Sequence, residues 1–132
     1  MEEHALAQGK TFVWHELYAP SSEAAISFYT QSLGWETDSM PMGDMGTYTM
    51  FKANGTSVAG MMATAGNPQL ANVPPQWSVY VGVDDVDARI AKCVELGGTV
   101  LVEPMDVPQV GRMALIQDPQ GATFWLFKDA MA

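Results

Sequence analysis

The chain has 132 residues, enough for one ordinary domain and too few for two independent cores. A 48% hydrophobic and 16% charged composition excludes a disordered chain. Six Lys and Arg against fifteen Asp and Glu give a formal charge of -9, which repels phosphate backbones and anionic membrane surfaces and argues against nucleic-acid and membrane partners. One cysteine, Cys93, excludes an internal disulfide and any multi-cysteine metal site. The acidic start Met1-Glu2-Glu3-His4 is unlike a signal peptide, and no apolar run approaches the roughly 20 residues of a spanning helix, so a cytoplasmic protein is expected.

The first predicted element is a strand over Thr11–Ala19, rich in β-formers. Alternation puts Phe12, Trp14, Glu16 and Tyr18 on one face and Val13, His15, Leu17 and Ala19 on the other. Pro20-Ser21-Ser22-Glu23 reads as a helix start, because a serine hydroxyl caps free N–H groups and Glu23 suits the positive end of the helix. The helix carries Ala25, Phe28, Tyr29 and Leu33 at helical spacing and stops at Gly34. Three extended segments follow, over 35–42, 47–53 and 56–63. The turn residues Gly43-Asp44-Met45-Gly46 separate the first two, and the hairpin pair Asn54-Gly55 the last two. The Pro- and Gly-containing stretch 64–75 cannot continue a sheet and reads as a linker.

The same order of elements then recurs. A strand over 76–83 leads into a helix opened by Asp84-Asp85, with Val86, Ile90, Cys93 and Val94 facing inward and Leu96-Gly97-Gly98 at its end. Strands over 99–103, 112–117 and 122–128 follow, the last two joined by Asp118-Pro119-Gln120-Gly121. The chain is therefore expected to be α+β: one domain over 11–128, made of a βαβββ module at 11–63 and a second at 76–128. Half of this chain would leave an apolar sheet face uncovered, so the two modules are expected to share an interior, with the polar helix faces outside.

Phe28-Tyr29, Leu33-Gly34-Trp35, Val83-Asp84-Asp85-Val86 and Asp118-Pro119-Gln120-Gly121, in this order and spacing, resemble the glyoxalase/bleomycin-resistance/extradiol-dioxygenase family, the vicinal oxygen chelate superfamily. The resemblance runs from about Phe12 to Phe127, and Val110-Gly111-Arg112 is similar to a single-chain, two-module branch of that family. It implies an open mixed β-barrel with helices outside. In family enzymes a divalent metal sits in the barrel on His, Gln or Glu from the first and last strand of each module. Transferred to this sequence, those four positions fall on Trp14, Ala59, Ser78 and Trp125. None is a good ligand for such a cation, since an indole offers only a donor N–H. A one-residue slip in the first strand would bring in His15 instead, but one imidazole is too few for a stable site. The resemblance alone implies a divalent metal, and the residues at these positions point instead to no metal and no cofactor.

In this register the interior is built from Trp14, Glu16 and Tyr18; Ser57, Ala59 and Met61; Ser78, Tyr80 and Gly82; and Thr123, Trp125 and Phe127, with Tyr48 and Met50, and Met40 or Met42, closing one side. Such an aromatic, Met-rich lining suits a flat apolar or amphipathic ligand, and equally suits a filled core. Glu16 is either a buried general acid or base or one half of a salt bridge, with Arg112 its obvious partner; Arg112 alternatively anchors an anionic group of a ligand. His15 reads as a partly buried residue beside the first helix, His4 as part of the terminus, and Cys93 as core.

Three functions follow. The first is a metal-free protein that binds a small aromatic or amphipathic molecule, as bleomycin-resistance members sequester a drug. The second is a metal-dependent lyase of the lactoylglutathione type, or a dioxygenase, as the family implies. The third is a metal-independent acid–base enzyme using Glu16. The family often pairs two chains, so a homodimer is expected.

Overall fold

The computed structural model of the chain describes residues 11–41, 47–108 and 110–130. Among these residues eight strands and two α-helices follow in the expected order: β1 (Phe12–Ala19), α1 (Ser22–Leu33), β2 (Glu36–Pro41), β3 (Thr47–Ala53), β4 (Thr56–Ala63), β5 (Gln76–Gly82), α2 (Val86–Glu95), β6 (Thr99–Val107), β7 (Gly111–Gln117) and β8 (Thr123–Asp129). The fold class is α+β. Two compact units divide it, His15–Trp77 and a split unit formed by Met1–Trp14 with Ser78–Ala132. The expected linker belongs to the first, where a short 3-10 turn at Pro68–Leu70 buries Leu70 to 5% exposure.

In the His15–Trp77 unit, β2 pairs with β3 and β3 with β4, both antiparallel, and β4 runs parallel to β1. Asn54 (φ 54) and Gly55 (φ 82) form the two-residue turn between β3 and β4, a backbone that only residues tolerant of positive φ adopt cheaply. One face of these strands carries α1: Leu17, Phe51, Ala59 and Met61 pack against Ala25, with Ile26, Tyr29 and Trp35 closing the cluster. Ser21 caps α1 by accepting from the Ala24 N–H, and Gly34 (φ 73) ends it by donating its N–H to the Thr30 carbonyl.

The helical stripe differs from the expected one. Ile26 joins Ala25 and Tyr29 against the sheet, while Phe28 and Leu33 are 62% and 55% exposed. β2 is an edge strand of this unit exposed along its whole length, Met40 included. Met42 and the turn Gly43-Asp44-Met45-Gly46 lie outside the described residues, as does His4.

The split unit repeats the wiring. β6 pairs with β7 and β7 with β8, antiparallel, and β8 runs parallel to β5. Val83, Val86, Ala114, Ile116 and Leu126 form the cluster under α2, with Val81, Ile90, Cys93, Val100 and Phe124 against it. Asp85 caps α2 through the Ala88 N–H. Val94, expected inward, is 51% exposed. β6 extends past the expected end at Glu103 to Val107, because Pro104 sits where the pairing with β7 shifts register, a place where a missing N–H costs little.

Candidate functional site

Where the family resemblance implies metal ligands, the side chains do not fit a metal. Ser78 and Trp125 lie on the face of the split unit opposite α2, and Trp14 on the β1 face that alternates away from His15 and Leu17. The β4 position is Gly60 rather than Ala59. Glu16 pairs with Gly60 and Leu17 with Met61, so Ala59 and Met61 share the helix-bearing face with Leu17. The error has a local cause. The Ala59 position assumes a regular hairpin after Asn54-Gly55, but Lys52 pairs with Ser57 and Phe51 with Ala59, so the extra residue Val58 shifts the phase of β4 by one. Indole, hydroxyl and glycine supply no ligand set for a divalent cation. His15 is exposed rather than partly buried, and among the described residues no three His, Cys, Asp or Glu come together.

The face of the split unit that lies opposite α2 is aromatic and buried. The Tyr80 and Trp125 rings stack with centroids 5.3 Å apart and planes 6° from parallel, and Phe127 meets Tyr80 edge-on at 6.0 Å. Register explains the stack, because Tyr80 is the direct partner of Trp125 in the parallel β5–β8 pair. Met113 and Leu115 pair with Phe127 and Trp125 on the same face. Ser78, Tyr80 and Trp125 are 3%, 6% and 4% exposed. Two polar atoms in this apolar setting have no hydrogen-bond partner: Ser78 Oγ and Trp125 Nε1. Each such buried group costs about 1–3 kcal/mol relative to a satisfied one.

In the His15–Trp77 unit, the face opposite α1 carries Glu16 and Tyr18, 3% and 2% exposed, with the Tyr18 hydroxyl donating to Glu16 Oε1 at 3.3 Å. Met50 pairs with Gly60 on this face, and Tyr48 lies so close over Gly60 that its ring tip fills the place of a Cβ. Met62, which sequence reasoning passed over, pairs with Tyr18 here. A glycine in mid-strand was the available signal, since it marks a close approach.

Arg112 is not part of either face. It alternates with Met113 onto the α2 side and forms a bidentate pair with Asp87 (Nε–Oδ2 3.1 Å, Nη2–Oδ1 3.0 Å), while its Nη1 donates to Asp106 Oδ2 at 3.0 Å. The expected Arg112–Glu16 bridge is therefore replaced by one joining α2, β6 and β7. The guanidinium hydrogen bond holds Asp87 below the usual carboxylate range, and Asp87, then Asp106, raise the Arg112 pKa. A cleft of about 380 Å³ beside Arg112 is lined also by Asp106, Lys128 and Asp129, and the guanidinium there is already held by Asp106. A second aromatic cluster, unforeseen from the sequence, lies on the α1 side: Tyr29, Trp35, Phe51 and Trp77, with Trp77 Nε1 donating to Tyr29 Oη at 3.2 Å.

Each βαβββ unit carries its helix on one strand face and buried aromatic side chains on the other, and the comparisons name the family. The model for the Glyoxalase/Bleomycin resistance protein/Dioxygenase superfamily matches residues 11–126, and the chain belongs to that superfamily. It is 40% identical over 120 residues to a protein named as a glyoxylase, CFP32, of Mycobacterium bovis, covering 91% of this chain and 44% of the relative. It is 34% identical over 126 residues to the anthracycline biosynthesis protein DnrV of Streptomyces peucetius, covering 87% of this chain and 46% of the relative. The chain thus spans less than half the length of these curated relatives. The methylmalonyl-CoA epimerase of Mycobacterium tuberculosis shares the fold, with TM-score 0.63 and 18% identity over 92% of this chain and 89% of that one. No helix among the described residues is long and apolar enough to cross a membrane.

Proposed function

We propose that the protein binds a small, flat, aromatic or amphipathic molecule without a metal ion, on the face built by Tyr80, Trp125 and Phe127. The observation that carries this reading is the buried, stacked Tyr80–Trp125 pair with Ser78 on the same face, where the family resemblance would imply metal ligands. Stacked rings offer large apolar area and little conformational freedom, which suits planar ligands. The relative named for anthracycline biosynthesis is in keeping with a polycyclic ligand. A thermal-shift screen of planar aromatics in the presence of a chelator tests it, because a molecule that binds only the folded chain raises the melting temperature. Stabilisation that persists with chelator is expected; stabilisation that requires added Zn, Ni, Fe or Mn would instead favour a lyase or dioxygenase.

A second reading rests on Glu16, a carboxyl group buried beside the Tyr18 hydroxyl. In this reading Glu16 moves a proton of a molecule bound on its own strand face, with Tyr18 as hydrogen-bond donor, an acid–base enzyme needing no metal. Glu16→Gln would then fold normally and lose turnover, with the pH dependence of the rate disappearing. We further propose a cytoplasmic homodimer. The exposed edge strand β2 and the outward Phe28 of α1 support the pairing, and light scattering should give twice the 14.3 kDa chain mass.

A further inference from the structure

We infer that Ser78 Oγ and Trp125 Nε1 are a donor pair for one oxygen of the bound molecule, which makes the ligand a neutral planar ketone or quinone. This rests on the metal-free binding reading and narrows it. Both atoms are buried, both lack a partner, and both project from the same face of adjacent strands. An indole N–H can only donate and a serine hydroxyl can do so. The group that satisfies the two together is an acceptor with two lone pairs, and a carbonyl oxygen is the simplest such group.

Charge decides between a neutral acceptor and an anion. On β8 the only cation, Lys128, alternates with Phe127 onto the opposite face, and on β7 Arg112 alternates with Met113 in the same way. Arg89 and Lys92 are exposed on α2, each beside a carboxylate. No Lys or Arg among the described residues of this unit shares the face of Ser78 and Trp125, and the chain carries a formal charge of -9. A carboxylate or phosphate would be buried there unpaired, whereas a neutral carbonyl is not penalised. Tyr80 and Trp125, nearly parallel, set the plane against which the rest of a flat molecule lies.

The test compares fluorenone with fluorene on the full chain. The two probes have the same flat ring system and differ in one carbonyl, and fluorene is the more hydrophobic. Dissociation constants come from fluorescence titration. The Trp125 indole N–H is followed in a nitrogen-correlated NMR spectrum, assigned by its loss in Trp125→Phe. Fluorenone should bind at least about tenfold more tightly than fluorene, since one well-made hydrogen bond alone predicts that much and the pair makes two. It alone should move the Trp125 indole resonance, and Ser78→Ala should weaken fluorenone more than fluorene, narrowing the ratio between them. Equal affinities with an unmoved indole resonance would overturn the donor pair and leave metal-free binding standing. No binding of either probe, with or without chelator, would overturn both.

Discussion

Gly60 and Phe51 show how closely single positions are set. Tyr48 occupies the space of a Cβ at Gly60, so Gly60→Ala should force the tyrosine ring aside, at about 1–3 kcal/mol of overpacking. Urea unfolding measures the loss, and tyrosine fluorescence should report the displaced ring. Phe51 is fully buried between α1 and the strands, and Phe51→Ala should cost about 3–5 kcal/mol in the same assay. The faces of Ser78, Tyr80, Trp125 and Phe127 were legible in the sequence because Asp118-Pro119-Gln120-Gly121 fixes the start of β8, and alternation does the rest. Met61 falls on the helix side instead, because the extra residue Val58 shifts the phase of β4, and no turn residue announces it. Arg112 was misread for another reason: its partners Asp87 and Asp106 lie on other elements, and only the register of β6 on β7 brings Asp106 opposite it.

The helices depend on their caps. Ser21 and Asp85 each accept from a backbone N–H three residues on, and Ser21→Ala or Asp85→Ala should each lower stability by about 1 kcal/mol, read as a shift in urea midpoint with unchanged slope. Cap residues and the Asn54-Gly55 turn stand out in the sequence because only a few residue types serve there. Helix faces are harder to read. Phe28 and Tyr29 are adjacent and both apolar, so spacing alone does not say which packs inward; Tyr29 does, beneath Trp35 and Trp77. The far half of β6 was hidden by Pro104, which as a rule ends a strand but is accommodated where the register shifts.

The repeated βαβββ order was the most legible feature, since it recurs with the same cap, turn and helix-end chemistry in both halves of the chain. Two ion pairs, Arg89 with Asp84 and Arg112 with Asp87, hold α2 and the strand ends, and hydrogen bonds from these arginines lower the pKa of both aspartates. A carboxylate whose pKa is lowered on folding stabilises the fold at pH values above its unfolded pKa, about 3.9, and loses that contribution as pH falls through the folded value. The stability advantage of the unmodified chain over Asp87→Asn should therefore shrink below about pH 4. Because these groups are exposed, the advantage at neutral pH should be small and should weaken with salt. An advantage that grows on acidification would contradict the assignment.

Elemental analysis tests most directly whether the Tyr80–Trp125 face works without a metal ion. The protein should be purified without chelator, incubated with an excess of Zn, Ni, Mn and Fe, and freed of unbound ions before measurement. The residues at Trp14, Gly60, Ser78 and Trp125 predict that none of these metals is retained in stoichiometric amount. One tightly held ion per chain, released together with ligand binding when a chelator is added, would contradict the proposal.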